Sequence, residues 1–202
     1  MTTHTESLKI AIIVGSTRPG RNSEAVARWT YDTASGRSDA TFEVVDLADH
    51  SLPYLDEAAP PIMGMYAHEH TKAWSALIDG FDAFVFVTPE YNHSIPAVLK
   101  NAIDFLYGEW NDKAAGLVTY SAQGGGVRAA EQLRSVLAEL KVATVRSQVV
   151  LTLGDDFRDY TTFEPRPHQE QALSDLIDDL VAWGGALRQL RAPAEELPVS
   201  AA

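Results

Sequence analysis

The sequence contains no cysteine, which excludes disulfide bonds, thiol catalysis and cysteine-ligated metal sites. It also contains no apolar run close to the roughly 20 residues that a membrane-spanning helix needs. Basic residues are scarce, because 16 Lys and Arg stand against 28 Asp and Glu and the formal net charge is −12. This charge disfavours nucleic acid and anionic membranes as partners, since both would repel the protein at long range.

The sequence predicts a cytoplasmic protein made of a single domain, 1–202, because it shows no repeats, no low-complexity segments and no domain boundary. Residues 1–7 are polar and have no apolar segment of the kind found in a secretory signal, and the absence of cysteine fits a reducing compartment. We expect flexible tails at 1–7 and 192–202. The six histidines are scattered, and only His68 and His70 lie close together. We interpret these two as surface residues because no further ligands accompany them.

Apolar runs alternate with helical patterns along the chain. The pattern predicts five strands at 8–14, 41–47, 83–88, 114–120 and 144–151. It predicts helices that begin near residue 24 and then span 71–80, 97–107, 128–140 and 168–190. Such alternation is typical of a parallel sheet covered on both faces and joined by right-handed crossovers. A ligand of this architecture binds at the carboxyl ends of the strands.

The loop after the first strand is suited to phosphate. It contains the hydroxyls of Ser16, Thr17 and Ser23 and the guanidiniums of Arg18 and Arg21, and it leads into a helix whose first N–H groups attract anions. Neither a Walker A motif nor a GxGxxG fingerprint is present. The residues therefore favour a terminal phosphate monoester. The alternative is an ordinary strand-to-helix turn with a serine cap and solvated arginines.

Two more loops of unusual composition follow the third and fourth strands. The first is Pro-Glu-Tyr-Asn-His-Ser at 89–94, and the second is Ser-Ala-Gln-Gly-Gly-Gly at 121–126. Because parallel strands end at the same edge of a sheet, both loops are expected to meet the phosphate loop there. This convergence predicts one binding site assembled from three loops.

The three loops resemble those of the NADPH-dependent FMN reductases, a family of flavodoxin-like fold that includes quinone, azo-dye and chromate reductases. The resemblance is carried by residues 15–23, by 89–92, and by Ser121 with Gly124 and Gly125, and it extends over about 8–150. It implies an α/β fold, a flavodoxin-like three-layer sandwich around a five-stranded parallel sheet with strand order 2-1-3-4-5.

The resemblance also implies the cofactor, the co-substrate and the residues that bind the cofactor. Twelve residues would contact FMN: Ser16, Arg18, Arg21, Asn22, Ser23, Pro89, Glu90, Tyr91, Asn92, Ser121, Gly124 and Gly125. The first five would surround the phosphate, the next four would line the isoalloxazine, and the last three would border its pyrimidine edge. NADPH would donate a hydride to FMN, and the electrons would pass to a quinone, a free flavin or another small acceptor, without a catalytic acid–base pair.

Two positions in these loops need separate comment. The family commonly has glycine where Ala122 stands, so the turn that includes Gln123 is expected to differ locally. Glu90 is a candidate base, but its place beside Tyr91 favours a role in fixing the shape of the loop.

The family is typically a homodimer or homotetramer, and the segment 97–110 is the predicted interface. The helix 97–107 is apolar over much of its circumference, which indicates either a subunit interface or an unusually deep core helix. We expect Trp110 and the segment 52–71 to shape the flavin pocket of a neighbouring subunit.

Two other functions compete with the reductase. One is a flavodoxin-like one-electron carrier that docks through its acidic surface and does not turn over NADPH. The other is a nucleotide-sensing regulator without turnover. The guanidiniums of Arg18 and Arg21 favour the reductase, since flavodoxins usually hold the phosphate with hydroxyl and amide groups.

Overall fold

The computed structural model describes residues 7–191, so the expected tails at 1–7 and 192–202 lie, apart from Ser7, outside the described residues. Five parallel strands form one sheet in the order β2-β1-β3-β4-β5, which confirms the predicted fold. Their bounds are Leu8–Val14 (β1), Ala40–Asp46 (β2), Ala83–Pro89 (β3), Lys113–Ser121 (β4) and Val142–Thr152 (β5). The helices are Ser23–Ala34 (α1), Glu69–Asp79 (α2), Ala97–Asp104 (α3), Val127–Glu139 (α4) and His168–Arg191 (α5).

The sheet is buried on both faces because its central strands are almost entirely apolar. Every residue of β3 is buried, and so is every residue of β1 except Lys9. One face packs against α1 and α5, and the other face packs against α2, α3 and α4. Strand order reverses between β1 and β3, and Val14 pairs with Val87 at the ends of these strands. The loops after β1, β3 and β4 therefore leave the same edge of the sheet.

The apolar face of α3 belongs to the core of its own subunit. Leu99 and Ile103 are each 1% exposed and pack in the cluster beneath α2 and α4. Trp110 is fully buried against Phe84, and its indole nitrogen donates to the carbonyl of Ile103 at 3.1 Å. The prediction that Trp110 shapes a neighbouring subunit's pocket is therefore wrong. For Leu99 and Ile103 the alternative of a deep core helix is correct.

The polar stretch before α5 contains an element that the hydrophobic pattern does not predict. Strands Phe157–Arg158 (β6) and Thr162–Phe163 (β7) form a short antiparallel hairpin. Asp159 and Tyr160 form its turn, with φ of 52° and 61°. Such a turn usually contains Asn-Gly or Asp-Gly. Here Asp159 is followed by Tyr160, so the sequence carries no hairpin signal at this place.

The structure also describes the long segment between β2 and α2. It contains two short 3₁₀ turns at Leu47–Asp49 and Pro61–Met63. Within residues 7–191, no helix is long and apolar enough to cross a membrane.

Candidate functional site

The three predicted loops surround one cavity of about 420 Å³ at the carboxyl edge of the sheet. This volume lies within the range of about 300–1,000 Å³ that small-molecule sites usually have. The cavity is lined by seven of the twelve predicted residues, namely Arg18, Arg21, Asn22, Pro89, Glu90, Tyr91 and Ser121. Six residues outside that prediction complete the lining: Gly20, Tyr120, Ala122, Leu153, Tyr160 and Thr161. The other five predicted residues do not line the cavity: Ser16, Ser23, Asn92, Gly124 and Gly125.

The N-terminus of α1 presents polar groups that the protein itself leaves without partners. The Ser23 hydroxyl is fully buried and makes no hydrogen bond. The Tyr120 hydroxyl lies close to it. Burial raises the pKa of Tyr120 to about 12, so this phenol stays protonated and can donate. A buried hydroxyl without a partner is costly, which marks this helix end as a place for a ligand.

The two arginines of the first loop differ in their surroundings. Arg21 is ion-paired with Asp46 at 2.6 Å and Glu24 at 2.7 Å, while its Nε is buried without a partner. Arg18 is exposed, and within the part of the chain that the structure describes it forms no ion pair. Arg18 is therefore the guanidinium whose charge is available to an incoming anion, whereas the charge of Arg21 is already balanced.

A hydrogen bond joins the first two loops. The hydroxyls of Ser16 and Tyr91 lie 3.0 Å apart, and Ser16 is 1% exposed. The Ser16 oxygen also accepts a bond from the backbone N–H of Arg18 at 3.4 Å. Tyr91 is therefore oriented along the wall of the cavity by a residue that was predicted to bind phosphate.

The second loop has a fixed backbone shape. Tyr91 and Ser94 exchange two backbone hydrogen bonds of 2.9 Å around a tight turn. The turn residues Asn92 and His93 have φ of 51° and 65°. Gln132 on α4 then holds the turn, donating to the His93 carbonyl at 2.9 Å and accepting from the Ser94 hydroxyl at 2.5 Å. Asn92 is exposed and does not line the cavity wall.

Glu90 joins the second loop to the N-terminus of α4. Its carboxylate accepts bonds from the backbone N–H and the Nε of Arg128 at 3.1 and 2.6 Å, and from the N–H of Ala129 at 3.4 Å. Burial alone would raise the pKa of Glu90, but these bonds outweigh it and hold the pKa below its ordinary value. A carboxylate engaged in this way fixes the shape of the loop and is a poor base.

The third loop packs directly against β5. Gly125 has a φ of 60°, and a Cβ atom there would lie 2.1 Å from a methyl group of Val150. Positive φ angles fall on the glycines of this loop and not on Ala122, so alanine at that position introduces no backbone strain. The Ser121 hydroxyl donates to the Gln123 carbonyl at 2.6 Å.

Asn22 has a different contact from the one predicted. Its side-chain amide donates to the backbone carbonyl of Tyr160 at 2.9 Å. Tyr160 and Thr161 thereby become part of the cavity wall, although they are distant in the sequence. No signal in the sequence places them here, because the hairpin reaches the cavity only through its packing. Tyr120, by contrast, ends the fourth predicted strand beside Ser121 and was within reach of sequence reasoning.

The two neighbouring histidines lie outside this cavity. His70 contacts the Asp56 carboxylate at 3.0 Å, and the rings of His68 and His70 stack 5.2 Å apart. Among residues 7–191 no group of three or more acidic or histidine side chains is arranged to hold a metal ion.

Comparison with known proteins decides the family. The sequence model of the protein family described as NADPH-dependent FMN reductase matches residues 8–156 of this chain. The chain belongs to this family. Membership in the FMN reductase family makes it an oxidoreductase that works with FMN and NADPH.

Individual relatives agree with this assignment. An NAD(P)H-dependent FMN reductase of Schizosaccharomyces pombe is 45% identical over 150 residues, which cover 73% of this chain and 74% of the relative. A 2-hydroxy-1,4-benzoquinone reductase of a Burkholderia species is 30% identical over 184 residues, or 88% of this chain and 96% of the relative. The solved structure of FerB, an NAD(P)H:acceptor oxidoreductase of Paracoccus denitrificans, has a TM-score of 0.70 at 23% identity, covering 89% and 98% of the two chains, and so shares the fold.

The residues of the cavity fit FMN. Its phosphate needs hydrogen-bond donors and positive charge. Arg18 supplies an exposed guanidinium in the cavity wall. The Ser23 hydroxyl does not line the cavity, but it lies in the first turn of α1 next to the lining residues Asn22 and Tyr120. The flat ring system needs a surface to lie against, and Pro89, Tyr91, Ser121 and Ala122 provide one in the cavity wall.

Proposed function

We propose that the protein transfers hydride equivalents from NADPH through bound FMN to a quinone or a similar flat, two-electron acceptor. The observation that carries this proposal is the single cavity in which the ends of β1, β3 and β4 meet. Its phosphate end would be formed by Ser16, Arg18 and Ser23. Its ring end would be formed by residues 89–92 and by the loop at 121–126.

The side chains of the site bind and orient, and they leave the redox chemistry to the cofactor. Bound FMN supplies the hydride chemistry, so the protein need not contribute an acid–base pair. Glu90 has no free lone pair directed at a substrate, because Arg128 and Ala129 engage its carboxylate. Tyr91 is held by Ser16 and presents its ring to the cavity. This division of labour fits an enzyme that positions two flat reactants in succession.

A quinone is the acceptor class that we propose. The Burkholderia relative, which matches over most of both chains, is named for reduction of a benzoquinone. Pro89, Tyr91 and Tyr120 are among the residues that line the cavity, and their ring side chains offer apolar surfaces. These surfaces suit stacking of an aromatic acceptor.

Steady-state turnover tests this function against the two alternatives. The FMN-loaded protein should oxidise NADPH continuously when a benzoquinone is supplied, with one quinone reduced per NADPH consumed. A one-electron carrier or a regulator would bind FMN but would not consume NADPH at a rate above that of free FMN. That result, with FMN bound, would overturn the reductase proposal.

We further propose that the active enzyme is a homo-oligomer, a dimer or a tetramer, whose interface includes the segment 52–65. This segment is firmly attached, since Asn101 on α3 accepts from the N–H of Leu55 at 3.0 Å and donates to the Pro53 carbonyl at 2.7 Å. Several of its large apolar side chains nevertheless point into solvent: Tyr54, Leu55, Ile62, Met63 and Met65. An ordered apolar surface of this kind is typical of an interface between subunits.

A neighbouring groove extends this surface. It has a volume of about 550 Å³ and lies between α3 and α4, with Pro60, Ile62 and Leu106 among its lining residues. A second copy of the chain that covered the segment 52–65 would also fill this groove. The segment would then approach the partner's flavin site, as the sequence predicts for 52–71.

Light scattering tests the interface. Ile62→Glu together with Met63→Glu should yield monomers, because charges would be buried where apolar side chains meet. Leu190→Glu, at an equally exposed leucine on α5, is the matched control and should leave the oligomer intact. The reverse pattern would place the interface on α5 instead. Substitution of Leu99 or Ile103 is unsuitable, since both side chains are core residues.

A further inference from the structure

The hairpin β6–β7 is attached firmly to the body of the protein. A chain of aromatic contacts runs from Tyr120 to Phe157, from Phe157 to Phe163 and from Phe163 to Trp29, with ring centroids 6.0, 5.0 and 5.4 Å apart. Phe157 is 4% exposed, so the base of the hairpin is part of the core. The tip therefore occupies a defined position over the end of α1.

A buried carboxylate fastens both ends of the hairpin. Asp156 is fully buried and accepts from the N–H of Thr152 at 2.8 Å, from the N–H of Arg166 at 3.1 Å and from its guanidinium at 3.0 Å. The Asp156 carbonyl accepts from the N–H of Glu164 at 2.9 Å. The segments that enter and leave the hairpin are therefore both hydrogen-bonded to Asp156, which fixes the position of the hairpin.

The tip of the hairpin lines the cavity beside the loop after β1, the loop that we propose holds the phosphate. The turn places Tyr160 and Thr161 in the cavity wall together with Arg18, Arg21 and Asn22. The Tyr160 side chain is 63% exposed, so no packing demand of the folded core explains its position. The amide of Asn22 holds the tip through the Tyr160 carbonyl.

We propose that this hairpin forms an outer wall of the FMN phosphate site, that the Tyr160 ring shields the bound phosphate from water, and that Asn22 acts as the latch of this wall. Removing water strengthens the attraction between the phosphate and Arg18, because the local dielectric falls. The inference rests on FMN being the ligand of the cavity. It assigns Asn22 to positioning Tyr160 and makes Tyr160 a further determinant of selectivity for phosphorylated flavin.

Affinities for FMN and for riboflavin, which has no phosphate, test the inference. Tyr160→Ala should raise the dissociation constant for FMN about tenfold, because water beside the phosphate would raise the local dielectric and weaken the attraction to Arg18. It should change the constant for riboflavin by less than about twofold, since shielding matters only for a charge. Tyr160→Phe retains the ring and should bind FMN like the wild type. Because Tyr160 is exposed, these variants should fold, and far-ultraviolet circular dichroism checks that they do.

A control variant distinguishes the effect of Tyr160 on the phosphate from a general effect of mutations in the hairpin. Arg158→Gln removes an ion pair with Glu164 in the same hairpin, and neither residue lines the cavity. This variant should bind FMN as the wild type does. The latch is tested by Asn22→Ala, which should weaken FMN in the wild type but add little in the Tyr160→Ala background, because both changes remove the same shielding.

The outcomes distinguish this inference from the proposed function. A wild-type protein that binds neither flavin would overturn both. A wild-type protein that binds FMN, with Tyr160→Ala equally tight, would overturn only the wall. Equal losses for FMN and riboflavin, or a Tyr160→Phe variant as weak as Tyr160→Ala, would overturn shielding by the ring. Additive effects of Asn22→Ala and Tyr160→Ala would overturn the latch.

Discussion

The clearest test of the cofactor site is the substitution Ser23→Ala, which should change protein stability and cofactor affinity in opposite directions. The Ser23 hydroxyl is fully buried in the first turn of α1 and makes no hydrogen bond. Leaving such a group unsatisfied costs the FMN-free protein about 1–3 kcal/mol. Removing it should therefore raise the free energy of unfolding of the FMN-free protein by about 1 kcal/mol, after allowance for the small loss of packing.

Affinity for FMN should fall in the same variant. If the hydroxyl donates to the phosphate, its loss removes a hydrogen bond to a charged group, which contributes about 1.5–3 kcal/mol. The dissociation constant should rise by a factor of about 10 to 100. A gain in stability combined with a loss of affinity is expected where a polar group is kept buried for a ligand.

Thr30→Val is the matched control. Thr30 is a fully buried hydroxyl residue on the same helix, but its Oγ1 donates to the Val26 carbonyl at 2.9 Å. This substitution removes a satisfied hydrogen bond, so the FMN-free protein should lose about 1 kcal/mol of stability while its FMN affinity stays unchanged. Urea denaturation measures the first quantity, and titration by flavin fluorescence measures the second. If Ser23→Ala destabilises the FMN-free protein and binds FMN normally, the hydroxyl is structural and the reasoning fails.

Three further predictions concern the phosphate, the glycine loop and the buried lysine. Arg18→Ala should weaken the binding of FMN by about 1.5 kcal/mol, which is the lower end for a charge-assisted hydrogen bond because Arg18 is exposed. The affinity for riboflavin should not change, and an equal loss for riboflavin would contradict a role of Arg18 in binding the phosphate. Gly125→Ala should destabilise the protein by about 2–4 kcal/mol, since its Cβ would overlap Val150. Gly124→Ala has a similar φ, but its Cβ would make only an ordinary contact of 3.8 Å with Val127, so it should cost only about 1 kcal/mol. Equal values in urea denaturation would show that the overlap relaxes. Burial lowers the pKa of Lys113 to about 8, and in the unfolded chain it is about 10.4. The unfolded state then binds more protons between these values, so stability should rise with pH across this window, and Lys113→Met should flatten the rise in denaturation curves at pH 7, 8.5 and 10.

The sequence was sufficient to predict the sheet and the edge at which the site lies. The runs that became β1 and β3 are apolar throughout, and such runs have few alternatives to a strand buried on both faces. The loops at 16–23, 89–94 and 121–126 had to meet, because parallel strands end at a common edge. The contact of Gly124 and Gly125 with the flavin stays a prediction; the structure shows them with positive φ, which glycine adopts at low cost.

Tertiary structure alone decided what the side chains contact. Helix α3 and Trp110 are apolar in a way that suits either a core or an interface, and only their position beneath the neighbouring elements shows that they are core. Composition likewise does not reveal that Arg21 forms an ion pair with Asp46. Nor does it reveal that the side-chain amide of Asn22 donates a hydrogen bond to the carbonyl of Tyr160, 138 residues away in the sequence. Periodicity along a chain records which residues are buried, whereas partners distant in sequence are chosen by packing in three dimensions. The loops of the site were therefore determined by the sequence itself, and the hairpin at Tyr160 only by the fold.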